Sequence, residues 1–131
     1  HENDKRAYTL INEQEDKLFG IKISDGYPEA GGFFTEHAVL EFGNHKFQVI
    51  HTPGHTEGSC CFYFEEDGIL VSGDTLFCDS VGRTDLPTGS MKKLVASLKE
   101  KLFVLPDNVR VYPGHGSSTD IGTEKQYNPY A

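Results

Sequence analysis

The spacing of apolar residues changes character along this chain. Between residues 2 and about 12, Ala7, Leu10 and Ile11 recur at helical spacing among charged positions, which predicts a short amphipathic helix. A solvated acidic stretch, Glu13 to Asp16, follows it. From Asp25 to Thr35 the periodicity is lost: Gly26, Pro28, Gly31 and Gly32 interleave with Tyr27, Phe33 and Phe34, the composition of a long irregular loop whose aromatic side chains are placed to border a pocket.

Alternation then takes over. Ala38 to Phe42 and Lys46 to His51 flank Gly43-Asn44-His45, and Ser59 to Phe64 and Ile69 to Ser72 flank Glu66-Asp67-Gly68. Each pair reads as a hairpin, and together they predict an antiparallel meander. Along the third of these strands Cys60, Phe62 and Phe64 alternate with Ser59, Cys61 and Tyr63, and neither parity is strongly polar, so both faces are expected to be at least partly covered, one of them by helix. Ser90 is placed to cap a helix whose apolar positions Met91, Leu94, Val95, Leu98 and Leu102 share one side, with Lys92, Lys93, Lys99 and Lys101 largely opposite. Pro106 is expected to end that helix, and Val109 to Tyr112 to form a short strand after it.

A length of 131 residues with 37% hydrophobic content suits one domain with a modest core. Twenty acidic residues against 12 basic ones give a net charge of −8, which opposes binding to a phosphate backbone and excludes nucleic acid as a partner class. No apolar run approaches the roughly 18 residues of a membrane span, so no membrane partner is expected. Cys60, Cys61 and Cys78 are odd in number, and the adjacent pair points to opposite faces of a strand, which disfavours a disulfide framework. A reducing, cytoplasmic setting follows as the expectation, with the cysteines acting as core or half-buried residues and Cys78 as a wall of any pocket near Asp74.

The candidate chemistry lies in three turns. His51-Thr52-Pro53-Gly54-His55-Thr56, Gly73-Asp74-Thr75-Leu76-Phe77 and Tyr112-Pro113-Gly114-His115-Gly116 each set a metal-ligand residue type beside glycine. Positions 55, 74 and 115 are far apart in sequence, so three separate loops must deliver them, and glycine lets each backbone turn sharply and come close to an ion. A carboxylate such as Asp74 has two oxygens and can bridge two cations.

These three motifs resemble the later metal-binding motifs of the metallo-β-lactamase superfamily. Gly82-Arg83-Thr84-Asp85, Leu102-Phe103, Leu105-Pro106 and Asn128-Pro129-Tyr130 further resemble the compact bacterial glyoxalase II-like hydrolases, and the likeness runs from about Val39 onward. The resemblance implies an α/β (α+β) fold, the C-terminal half of an αββα sandwich with a mostly antiparallel sheet and flanking helices. It assigns His55, Asp74 and His115 as metal ligands, with Asp74 bridging two Zn²⁺ ions and central to catalysis, iron or manganese being alternatives. His51 is left as a strand-end residue, and His1, His37 and His45 as surface histidines. Arg83 stands where such enzymes meet the glutathione part of a thioester, although a salt bridge to Asp85 is an equally simple use for it. The implied reaction is hydrolysis of a thioester such as S-lactoylglutathione by metal-bound hydroxide. Asp79, Glu124 and Asn128 lie in segments that border the site, without assigned roles.

One motif is missing. The superfamily's first metal motif, His-x-His-x-Asp-His after a threonine, occurs nowhere in these residues, and His1-Glu2-Asn3-Asp4-Lys5 resembles the segment that follows it. Residues 1–131 are therefore expected to form a single or partial domain, the C-terminal portion of a larger one. The isolated chain would then bind metal weakly, be inactive, and expose an apolar sheet face suited to the missing N-terminal half or to self-association. Two other readings stand beside this: a persulfide dioxygenase-like iron enzyme, against which the Pro-Gly-His-Gly turn argues, and a non-catalytic binding module.

Overall fold

A computed structural model of the chain describes residues 1–5 and 30–131. The expected helix from residue 2 to 12 lies outside these residues apart from its start, a single 3₁₀ turn at Glu2–Asp4, and the acidic stretch and the first part of the glycine-rich loop lie outside them as well. Residues 30 to 35 have no regular structure, as their composition implies.

The meander forms as expected. Strands β1 (Val39–Phe42), β2 (His45–His51), β3 (Cys60–Phe64) and β4 (Ile69–Gly73) pair antiparallel in chain order, with Phe42 opposite His45 across the first turn and Phe64 opposite Ile69 across the next hairpin. A small separate hairpin, β5 (Leu76–Phe77) and β6 (Ser80–Val81), follows β4. The chain then crosses the sheet as helix α1 (Met91–Ser97), prolonged by a π turn over Leu98–Leu102. It re-enters as β7 (Arg110–Pro113), parallel to β4, and β8 (Thr119–Asp120) closes the order β1-β2-β3-β4-β7-β8 before helix α2 (Ile121–Tyr127). No helix among the described residues is long and apolar enough to cross a membrane.

Side-chain alternation gives the sheet two unlike faces. Ile50, Cys61, Tyr63, Leu70 and Val111 occupy one face through the pairs Ile50–Cys61, Tyr63–Leu70 and Leu70–Val111, and all are buried. Leu94, Leu98 and Leu102 cover this face from the helix, each fully buried, and Ile121 joins them from α2. Leu98 to Leu102 stays on the core because the π turn, closed by the Phe103 N–H donating to the Leu98 carbonyl at 2.8 Å, widens the helix by one residue.

The opposite face carries Val49, Phe62, Val71 and Tyr112 in register. Edge-on contacts of Phe62 with Phe34 and Phe47, at 5.6 and 5.3 Å, cover part of it, whereas Val71 and Tyr112 are exposed. Both faces of β3 are thus partly covered, as its sequence implied.

One expectation needs correction. The helix ends at Leu102 rather than at Pro106, because Leu102 turns its carbonyl to the Leu105 N–H at 3.1 Å and Phe103 and Leu105 fold back against the core. The short strand expected at Val109 to Tyr112 forms as β7, which joins the meander parallel through the α1 crossover, a pairing that no local turn signal encodes.

Candidate metal centre

Strand direction explains how three distant motifs meet. β3 is antiparallel to both β2 and β4, and β7 is parallel to β4, so β2, β4 and β7 run the same way and end on one edge of the sheet. His55 lies in the loop after β2, Asp74 directly after β4 and His115 in the turn after β7. Placement of all three at strand ends follows from this common polarity rather than from any one loop.

The loop that carries His55 is held at several points. The Thr52 N–H donates to Ser59 carbonyl at 2.8 Å, the Ser90 N–H to Gly54 carbonyl at 2.7 Å, and the Thr56 hydroxyl and Gly58 N–H both donate to the Asp4 carboxylate at 2.7 Å. Buried Thr52 and Thr75 meet through their hydroxyls at 3.0 Å and tie this loop to the one that holds Asp74.

Within the site, His55 Nδ1 lies 2.8 Å from the Arg83 carbonyl oxygen, which can only accept, so Nδ1 is the donor and, in the neutral ring, Nε2 is the nitrogen with the lone pair. Nε2 faces Asp74 Oδ2 at 3.6 Å, while His115 Nδ1 lies 2.9 Å from Asp74 Oδ1. The two imidazoles therefore address different oxygens of one carboxylate. His55 is largely enclosed, and His115 is exposed with its ring edge-on to Phe77 at 6.0 Å. A cleft of about 210 Å³ is lined by these three residues with Phe77, Gly82 and Arg83.

Glycine is required where backbone closes on the site. A Cβ on Gly82 would overlap the Asp74 carbonyl oxygen, and one on Gly114 would come within 2.6 Å of Asp74 Oδ1. Arg83 lines the cleft and its guanidinium is clamped: Nε donates to Asp85 Oδ1 and Nη2 to Oδ2, both at 2.7 Å. Those bonds hold the Asp85 carboxyl down at about 2. The salt-bridge use of Arg83 and its place in the cleft are thus both realised.

A proton-bearing Nδ1 directed at a carbonyl, a free Nε2 and a carboxylate between two imidazoles could hold divalent cations, because the outer contact fixes the ring and its tautomer as metal-binding histidines require. His51 is placed elsewhere: its Nε2 lies 2.8 Å from the Glu57 carbonyl oxygen and its ring stacks on His1 at 3.9 Å. His37 and His45 lie on the surface against Gln48 and Asp67.

Cys78 is not a wall of the cleft, a correction to the sequence expectation. It sits at the β5–β6 turn, where the backbone of Asp79 adopts φ 55° and directs it towards Asp79 and Glu124, and Phe77 takes the wall position instead. Glu124 is fully buried and accepts from the Thr119 hydroxyl at 2.6 Å, the Asn128 amide at 2.7 Å and the Asp79 N–H at 3.1 Å. Asn128 also donates to the Ser80 carbonyl at 3.1 Å. Asp79, Glu124 and Asn128 therefore brace the β5–β6 turn and do not line the cleft. A buried glutamate is rarely foreseeable from sequence, since the residue type is normally solvated.

The mixed fold and the three-motif edge point to the metallo-β-lactamase class of protein. The sequence model of the Metallo-beta-lactamase superfamily matches residues 5–115, and the chain belongs to that family. A probable metallo-hydrolase of Streptococcus pyogenes is 44% identical over 92% of this chain and 54% of its own length. The hydroxyacylglutathione hydrolase GloC of Haemophilus influenzae is 36% identical over 99% of this chain and 61% of its own. A solved structure, TTHA1623 in a di-iron-bound form, superposes with a TM-score of 0.84 at 40% identity, covering 100% of this chain and 63% of that one. The chain thus spans between about half and two thirds of the length of these proteins.

Proposed function

We propose that this chain supplies part of the metal centre and the substrate anchor of a thioester hydrolase acting on glutathione conjugates such as S-lactoylglutathione. The observation that carries this reading is the convergence of His55, Asp74 and His115 from three strand ends, with Asp74 between the imidazoles. The likeness to the hydroxyacylglutathione hydrolase supports the substrate class.

His55, Asp74 and His115 would hold the metal ions, with the Asp74 carboxylate between the two imidazoles. Ions held there would supply Lewis acidity and lower the pKa of water to about 7. The chain's own part is orientation. The Arg83 carbonyl fixes the His55 ring, Phe77 keeps one wall of the cleft apolar, and the Arg83 guanidinium anchors a carboxylate of the substrate.

Stable zinc sites use three or four protein ligands per ion, and here each ion would have one imidazole and a shared carboxylate. Further donors must come from residues beyond those described. The exposed apolar face around Val71 and Tyr112 is the surface on which the polypeptide that brings them would pack. The 131-residue polypeptide alone is accordingly expected to bind metal weakly and to lack activity.

The di-iron relative favours iron as an alternative to zinc. Elemental analysis of the purified protein, thioester hydrolysis followed by thiol release, and oxygen uptake with a persulfide separate the readings. Thiol release that depends on zinc or iron without oxygen uptake supports the hydrolase. Oxygen uptake without thiol release would replace it with a dioxygenase, and full hydrolysis by the 131-residue polypeptide alone would refute the shared-site reading.

A further inference from the structure

We infer that Asp85 is a positioning residue for substrate recognition: it clamps one side of the Arg83 guanidinium so that the opposite edge is presented to a carboxylate of the substrate. The inference rests on the thioesterase reading above and names the group that sets its selectivity.

Arg83 is fixed at both ends. Its carbonyl accepts from His55 Nδ1 at 2.8 Å, and its side chain is held by two 2.7 Å bonds to Asp85. A guanidinium carries five N–H donors in one rigid plane. Asp85 takes the Nε–H and one Nη2–H, which leaves the edge formed by Nη1 and the second Nη2–H. That edge matches a carboxylate in the bidentate manner. No partner for Nη1 is found among the described residues, and Arg83 lines the same cleft as His55, Asp74 and His115.

Folding does not explain the pair. Both side chains are about two-thirds exposed, at 66% and 68%, and exposed pairs contribute little to stability. Its effect lies in the side chain's freedom: an exposed arginine without a partner spreads over many rotamers, and ordering it opposes binding. Asp85 removes that disorder beforehand. It also cancels the net charge of the arginine, so the cleft selects by the geometry of two N–H donors rather than by charge alone. A carboxylate suits that arrangement better than a more highly charged phosphate.

The test uses the complete, metal-loaded protein and its Asp85→Asn and Asp85→Glu variants on two thioesters, S-lactoylglutathione and the same compound with both glutathione carboxylates esterified. Asp85→Asn is expected to raise KM for the acid about two- to fivefold, with kcat within about twofold and no change for the ester. Asp85→Glu should recover part of the loss. Calorimetric binding of glutathione to the metal-free protein should weaken by a similar factor in Asp85→Asn. A fall in KM would mean that Asp85 competes with the substrate, and it would overturn the inference. So would an equal change for acid and ester, or no change at all. Absence of thioester hydrolysis by the unmodified protein at any metal loading would remove the thioesterase reading and this inference with it, whereas an active protein indifferent to Asp85 removes the inference alone.

Discussion

Replacing Gly82 with alanine tests whether packing of main chain against main chain sets the geometry of the candidate centre. A Cβ at this position would overlap the Asp74 carbonyl oxygen, come within 2.9 Å of the carbonyl carbon and lie 3.4 Å from His55 Nδ1. The obstructing atoms belong to the turn between β4 and β5, where the Thr75 N–H donates to the Ser72 carbonyl at 3.1 Å and the Gly82 N–H reaches the Thr75 carbonyl at 3.4 Å. No side-chain rotation relieves the overlap, so either this turn or β6 has to shift. Overpacking costs about 1 to 3 kcal/mol, and a backbone obstacle places Gly82→Ala near the upper end, at about 2 to 3 kcal/mol. If β6 yields, the Arg83 carbonyl moves with it, and His55 loses the contact that fixes its ring. Loss of such an outer contact weakens metal binding about 10- to 100-fold. Urea unfolding followed by circular dichroism in the absence of metal measures the first effect, and competition with a coloured chelator measures the second. Gly31→Ala is the control, since a Cβ there meets nothing within 4 Å, and its stability should change by less than about 0.5 kcal/mol. A Gly82→Ala protein as stable and as metal-competent as the Gly31→Ala protein would show that the contact is not constraining and that the reasoning is wrong.

Three further outcomes are expected. Asp74→Asn keeps the size of the side chain and removes the charge that both imidazoles address, so metal affinity should fall at least about tenfold with the circular dichroism spectrum unchanged; full retention of metal would remove Asp74 from the centre. Glu124→Ala leaves the Asp79 N–H, the Thr119 hydroxyl and the Asn128 amide without their acceptor, which should cost about 3 kcal/mol in urea unfolding, and a loss below about 1 kcal/mol would show that water replaces the carboxylate. Burial raises the Cys61 thiol from 9.0 to about 11, so its contribution to stability is complete below pH 9 and is lost as pH rises towards 11, by about 3 kcal/mol in all. Thermal unfolding at pH 8 and pH 10.5 should show this decline in the parent and less of it in Cys61→Ala, and equal slopes would refute the assignment.

Local signals made the meander and the main helix legible. Gly43-Asn44-His45 and Glu66-Asp67-Gly68 lie between alternating runs, and Ser90 precedes a helical stripe whose Leu94, Leu98 and Leu102 are indeed buried. What was not legible depends on distant partners. Two-residue strands such as β5, β6 and β8 are too short to show any period, and the parallel β4–β7 pairing is set by a crossover rather than by a turn. Helix α2 begins where the Asp120 side chain accepts from the Thr123 N–H at 2.8 Å, a cap that its Asp-x-x-Thr spacing allowed but that its mixed composition, with a glycine and a buried glutamate, obscured. For the candidate centre, the residues were legible because each stands in its own glycine turn. Their meeting followed from the motifs and the resemblance; the means of it did not, because it requires β2, β4 and β7 to share one direction.

That shared direction also bears on why the cleft is open. Strand ends deliver His55, Asp74 and His115 to a single edge, and the same edge leaves the His115 and Arg83 side chains exposed, with Asp85 as the side-chain partner of Arg83 among the described residues. The sheet's second face is in a similar condition, with Val71 and Tyr112 exposed beside the partly covered Phe62. A shortage of metal donors is a chemical deficit, and an uncovered aromatic face is a packing deficit, so neither entails the other. Under the proposed function one complement meets both: polypeptide packed on the Val71–Tyr112 face extends to the adjoining edge, where the further donors are needed. A variant that makes this face polar, Val71→Lys, should then lower metal content as well as stability although it touches no proposed ligand. Metal content held at the parent level in a destabilised Val71→Lys protein would separate the two deficits and count against a common complement.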